Sequence, residues 1–162
     1  MSRSGYTDEC DGWELVRWRG AVNSAIRGKR GQAFLNEMVT ALDAMQEKRL
    51  VSGLLETADG DCCALGAVGL ARSMDLTQID PDDLDAVART FGIAGALAAE
   101  IMYVNDDDVD DFVWEKVEIC GPLRRWESRV RVFRNPSPHA DVARWVRMRA
   151  WAADHIKKGS QS

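Results

Sequence analysis

The sequence predicts a compact, mainly α single domain, with short extended segments near residues 50–56 and 130–133. Three observations carry that expectation. Apolar residues recur at helical spacing over much of the chain, and prolines, acids and glycines punctuate it where helices should start and stop. One stretch, GLLETADGDCCALGAVGLARSM at residues 53–74, concentrates the smallest side chains and two adjacent cysteines, as a central buried helix would. With 162 residues and 46% hydrophobic content, the chain is long enough for one good core and short for two. The domain is therefore placed at residues 13–158, between a loose N-terminus (1–12) and a tail (159–162).

In chain order, a first helix is expected over residues 13–27, where Leu15, Trp18, Val22, Ala25 and Ile26 form one stripe and Arg17, Arg19 and Asn23 fall outside it. Gly28-Lys29-Arg30-Gly31 reads as a glycine turn closing a helical hairpin. The second helix, over residues 32–48, buries Phe34, Leu35, Met38, Ala41, Leu42 and Met45, and Lys48 and Arg49 suit its negative end. Residues 49–56 are apolar and partly β-branched, hence extended. Asp59-Gly60-Asp61 makes a turn, and Asp61 is placed to cap a helix starting at Cys62. Along that helix Ala64, Gly66, Ala67, Gly69 and Ala71 allow other backbones to come close, which offsets a propensity cost of about 1 kcal/mol per glycine.

Asp80-Pro81-Asp82-Asp83 signals the next start, with Asp80 as cap and Pro81 at the first helical position. Leu84, Val87, Ala88 and Phe91 form the buried face, Gly92 ends the helix, and a further helix over residues 93–104 follows through Leu97, Ala98, Ile101 and Val104. This pair has the spacing of a helix-turn-helix, but residues 94–100 offer no Arg, Lys, Asn or Gln to read bases, so it is expected to be a packing corner. Asp106, Asp108 and Asp110 alternate like calcium ligands, yet Asp111 and Val117 stand where an EF-hand needs Gly and Glu. A solvated acidic loop, with Asn105 or Asp106 capping a helix end, is expected instead. Residues 112–118 read as helical, Cys120-Gly121-Pro122 as a break, and Val130-Arg131-Val132-Phe133 as strand-like. Ser137 and Pro138 then open a final helix to about residue 158, with Val142, Trp145, Met148, Ala152 and Ile156 along its apolar side.

Charge is distributed unevenly around a net of −5. Residues 75–118 hold 2 Lys/Arg and 13 Asp/Glu, whereas residues 119–162 hold 10 and 3. An acidic middle and a basic tail either complement one another, within the fold or across a homo-oligomer, or offer a docking face. No apolar run approaches the roughly 20 residues that span a bilayer, and the first residues lack a secretion signal, so a soluble, cytoplasmic protein without membrane contact is expected. The cysteines, Cys10, Cys62, Cys63 and Cys120, show no metal-type spacing, and neighbours such as Cys62 and Cys63 bridge only with strain. No metal and no cofactor are indicated.

The ordered signals carry a resemblance. RWRGAV at residues 17–22 with GKRGQAF, then DGDCCALGAVGLAR, IDPDD, FGI, the Asn105-Asp106 pair and RWVRMRAWAADHI together resemble a group of small uncharacterised phage and prophage proteins, over most of the chain apart from roughly residues 107–137. Other phage and actinobacterial proteins share a looser C-A-L-G segment and a later N-D pair. The resemblance implies a mostly helical phage accessory protein and assigns no activity to particular residues. The stretch at residues 109–136 reads as a longer insert.

Three functional classes follow, and an enzyme is not the favoured one. A cysteine-dependent hydrolase would use Cys62 or Cys63 at a helix N-terminus with His139 or His155 as base, against the tendency of cysteine to be buried. An RNA- or DNA-binding protein would clamp the backbone with the GKRG turn, as KH domains do, through Arg27, Lys29 and Arg30. The leading expectation is a module that binds another protein, such as a host defence factor that it inhibits or redirects. Its surface is assigned to Arg124, Arg125, Trp126 and Arg129, because Trp and Arg dominate binding hot spots and Trp145 shares the apolar stripe of the last helix.

Overall fold

A computed structural model describes residues 3–7 and 11–158. The tail at 159–162, Cys10, and part of the N-terminal stretch lie outside those residues. Among the described residues the order is α1 (Gly12–Arg27), α2 (Lys29–Ala44), α3 (Ala64–Ala71), α4 (Leu84–Phe91), α5 (Gly95–Asp106), β1 (Phe112–Glu118), β2 (Val130–Pro136) and α6 (Ala140–His155). Among the described residues no single helix is long and apolar enough to cross a membrane.

Helix α1 starts where Asp11 accepts from the Glu14 N–H and ends at Gly28. The expected turn at Gly28–Gly31 is tighter than the sequence suggested. Gly28 alone separates the two helices, and Lys29, Arg30 and Gly31 already belong to the first turn of α2. A Cβ at Gly31 would stand 1.9 Å from the Ala25 carbonyl oxygen, so glycine is what lets α2 begin directly against α1. Leu35, Met38 and Leu42 of α2 are fully buried, each stabilising the fold by about 1.5–3 kcal/mol.

Helix α3 is the central helix that its small residues predict, with Ala64 to Gly69 all buried and α2 and α5 packed on it. Its start is two residues later than expected. Asp61 pairs with Arg49 instead of capping, Cys62 bridges Glu56 as extended backbone, and Cys63 is the cap, its sulfur accepting from Gly66 N–H. Residues 50–56, expected to be extended, instead run as an irregular connector with bends at residues 52, 53 and 55 and Gly53 at φ 77°, and they press on α3: a Cβ at Gly66 would lie 1.9 Å from the Leu55 carbonyl oxygen.

The acid-rich start of α4 also shifts. Asp80 accepts from Asp82 N–H in a turn, so Asp83 becomes the cap, accepting from Ala86 N–H, and the helix begins at Leu84. Gly92, at φ 69°, closes it in the left-handed region that glycine adopts at little cost. The chain then turns by 106° into α5, whose residues Leu97 to Met102 are buried among α1, α3, α4 and α6. The final helix is shorter than its apolar pattern suggested, starting at Ala140 with no side-chain cap and ending at His155.

The largest departure is at residues 112–118, which form a strand and not a helix. β1 pairs antiparallel with β2, from Phe112 opposite Pro136 to Glu118 opposite Val130, and the pair is a two-stranded sheet by itself. The segment expected to be extended at 130–133 is the core of β2. A helix needs one apolar stripe to bury, whereas Phe112, Val113 and Trp114 are consecutive and suit an extended ribbon exposed on both faces.

Candidate binding surface

Three places were marked by the sequence, and the structure treats them differently. Cys62 and Cys63 are buried at the start of α3. Burial foremost, then the neighbouring Cys63, Glu56 and Asp61, pushes the Cys62 thiol up to about 12, and burial raises Cys63 as well against the opposing pull of Arg3. Both are therefore thiols, not thiolates, at neutral pH. The histidines flank α6: His139 precedes it, and His155 stacks on Trp151 with Nδ1 2.7 Å from the Trp151 carbonyl oxygen. Neither is hydrogen-bonded to a cysteine among the described residues.

Around Cys63 lies a buried polar node that the sequence reading did not foresee. Asn105 Oδ1 accepts from Ala64 N–H at 3.0 Å, and Asn105 Nδ2 donates to Val51 O at 2.9 Å and Asp106 Oδ1 at 2.7 Å. Asn105 thus caps a helix end, as expected of Asn105 or Asp106, but the end is that of α3, and the residue is buried rather than solvated. Asp106 holds the Arg3 guanidinium at 2.7 and 3.0 Å, and Arg144 donates to Asn105 O at 2.7 Å, to Leu50 O at 2.9 Å and to Asp111. Residues 3–7 are accordingly not a loose end: Arg3 and Ser4 are buried, and the Tyr6 hydroxyl donates to Glu100 at 2.5 Å. The members of this node bond to one another, with Arg3 Nη1 left buried without a hydrogen-bond partner among the described residues, and the C-A-L-G and N-D signals meet in this cluster. Part of the charge asymmetry is consumed in the same way, since Arg144 and Arg147 pair with Asp111 and Asp108, and Arg149 pairs with Asp43.

The basic residues of the GKRG segment are not on a loop. Arg27 ends α1, Lys29 and Arg30 open α2, and all three are exposed. A backbone clamp of the KH type needs the two glycines to frame a free loop, and here the second is locked in a helix against Ala25.

Arg124, Arg125, Trp126 and Arg129 come together at the tip of the β1–β2 hairpin. Glu127 N–H donates to Arg124 O at 2.9 Å, closing a turn with Arg125 and Trp126 at its corner, and Trp126 is 79% exposed. The patch does not end there. Every residue of β1 and all of β2 except Asn135 are exposed, so no helix covers either face. Phe112, Trp114, Val130 and Val132 lie on one face with Lys116 and Arg134, whose guanidinium stacks 3.6 Å over the Phe112 ring. Val113, Val117 and Phe133 lie on the other with Arg131. Residues 112–136 carry six Lys/Arg against three Asp/Glu, in a chain of net charge −5. None of the hairpin arginines forms a salt bridge to the body among the described residues, in contrast to Arg144, Arg147 and Arg149 of α6. The sequence marked the tip through its Trp and Arg residues; it left out Trp114, which a helical reading of 112–118 hides, and Val132 and Phe133, which read as strand-like but had no partner strand to place them on a shared surface.

No protein-family model, no curated protein and no solved structure matches the chain.

Proposed function

We propose that the protein is a phage-encoded accessory protein that acts by binding another protein through its hairpin, in the cytoplasm of a host cell, where it inhibits or redirects a host defence factor. One observation carries the binding role: an 11-residue tip and two strands project from a well-packed helical body with Trp114 and Trp126 at 70% and 79% exposure, beside arginines that form no salt bridge among the described residues. A two-stranded ribbon without an apolar layer is marginal in water, and large exposed apolar groups rimmed by charge mark contact sites. Trp and Arg are also the side chains that anchor interfaces most strongly. The phage origin and the host target rest on the ordered motifs described above.

Affinity capture from bacterial lysate, with and without nuclease, tests this reading. A partner retained after nuclease and lost from the Arg125→Glu, Trp126→Ala double variant, with an unchanged melting temperature, is the expected result. Capture that survives in the variant, or that vanishes with nuclease, contradicts it.

A further inference from the structure

Hydrogen-bond geometry identifies which backbone groups of the hairpin remain open. Ile119 N–H donates to Arg129 O at 2.8 Å beyond one end of the ladder, and Ser137 N–H donates to Asp111 O at 2.8 Å beyond the other. In an antiparallel pair, bonded and non-bonded positions alternate. The bonded positions are therefore the odd-numbered ones, Val113, Glu115 and Val117 opposite Asn135, Phe133 and Arg131, and the even ones direct their N–H and C=O groups outward. On β2, Pro136 has no N–H and Val130 N–H is taken by Ser128 Oγ at 3.2 Å, which leaves only Val132 and Arg134 open. On β1, Phe112, Trp114, Lys116 and Glu118 all keep outward backbone groups that bond to nothing else among the described residues. Every residue of β1 is exposed, so the more complete of the two edges is also the uncovered one.

The edges differ in charge as well. β2 carries Arg131 and Arg134 and no acid, so two β2 edges repel one another, whereas β1 carries both signs in Glu115, Lys116 and Glu118. Proteins ordinarily blunt an exposed edge, and Pro136 and the arginines do so for β2. Nothing comparable protects β1. A two-stranded ribbon is marginal in water, and further strands are what stabilise it.

We infer that β1 is the edge at which two copies of this chain associate, antiparallel about a twofold axis at Trp114, to give a four-stranded sheet in the order β2, β1, β1, β2. The outward groups of Phe112, Trp114 and Lys116 then bond to those of Lys116, Trp114 and Phe112 of the second copy. Trp114 meets its own counterpart, Lys116 lies against an aromatic ring, and on the other face Val113 lies against Glu115, so no like charges stand directly opposite within the paired strands. An axis normal to the sheet keeps the faces matched, and Phe112, Trp114, Val130 and Val132 of both copies join into one apolar face. The same arrangement brings the tip of each hairpin, with Arg124, Arg125 and Arg129, toward the base of the other, where Asp107, Asp108 and Asp110 lie. A foreign strand of a single charge sign meets either Lys116 or the two glutamates as a like charge, and those glutamates also disfavour a nucleic-acid backbone. The inference goes beyond the binding role proposed for the tip and does not rest on it.

Sedimentation equilibrium of the full chain tests this. Pairing over a few residues predicts a dissociation constant in the micromolar range, with free ribbons below it and a species of twice the mass of one chain above it. Across the same range, hydrogen exchange should slow at the Trp114 and Lys116 amides and stay fast at those of Val132 and Arg134. Trp114→Glu sets two carboxylates at the axis, and Lys116→Pro removes an outward N–H that the hairpin does not use; each should weaken association at least tenfold with the helical circular-dichroism signal unchanged. Val132→Pro makes the matching change at the β2 edge and should leave association within about twofold. A parent that stays monomeric into the millimolar range, association unchanged in both β1 variants, an equal loss in Val132→Pro, or growth beyond a dimer would overturn the inference. Partner capture is read separately, because Trp114→Glu keeps Arg125 and Trp126: a monomeric Trp114→Glu variant that still captures a partner supports both readings, and a dimeric parent that captures nothing supports this one alone.

Discussion

Glycine at two positions of α3 shows how closely the body is packed. At Gly66 a methyl group would run into the Leu55 carbonyl oxygen, which is backbone, whereas at Gly69 it would come within 2.6 Å of a Leu76 side-chain carbon that can rotate away. Gly66→Ala should therefore lower stability by about 1–3 kcal/mol in denaturant titration, and Gly69→Ala by clearly less. Glu100 makes a second prediction. Burial alone would raise its pKa, but the hydrogen bonds from Arg19, at 2.8 and 2.9 Å, and from Tyr6 outweigh it and hold the carboxyl below the ordinary range. A depressed folded-state pKa contributes stability above the unfolded value, about 4.3, and that contribution is lost as pH falls through the folded value. Unfolding midpoints measured from pH 6 down to pH 3 should fall, and Glu100→Gln should be less stable at pH 6 with a shallower decline. The close approach at Gly66 was legible in the sequence because small residues announce it. The burial of Arg144 was not, since its acceptors come from residues 50, 105 and 111, and no local pattern records such a convergence.

At the scale of elements, the buried faces of α2, α4 and α5, the span of α1 and the stop at Gly92 were legible, whereas Leu15 of α1 and Val142 of α6, expected on buried stripes, are exposed and the starts of α3, α4 and α6 shift. Asp61 and Asp80 are both good caps, yet each has a competing partner, Arg49 for one and the Asp82 N–H for the other, so Cys63 and Asp83 take the positions. The first strand of the hairpin, β1, escaped for a different reason. Strand patterns are recognised by alternation between a dry and a wet face, and a ribbon with two wet faces has none. Its exposure also predicts its dynamics. Amides of β1 and β2 should exchange with solvent well before those of α2, α3 and α5, because few buried apolar contacts oppose local opening. Hydrogen exchange followed by mass spectrometry resolves the hairpin from the helices, and equal protection in both would mean that something covers the ribbon.

Over the whole molecule, the opposite charges of the middle and the tail separate into two groups. Those of α6 are neutralised inside the fold by Asp43, Asp108 and Asp111, and those of the hairpin are not. The body has its own core from α1 to α6, and the hairpin leaves and rejoins it at one point, where Ser137 N–H meets Asp111 O. The proposed function makes the hairpin a separable binding arm on a self-sufficient helical body. Replacing residues 112–136 with two glycines tests it most directly, with thermal unfolding and partner capture read on the same sample. The expected result is an intact helical signal, a melting temperature within a few degrees of the parent and complete loss of capture. A body that no longer unfolds cooperatively, or one that still captures the partner at full strength, would contradict it.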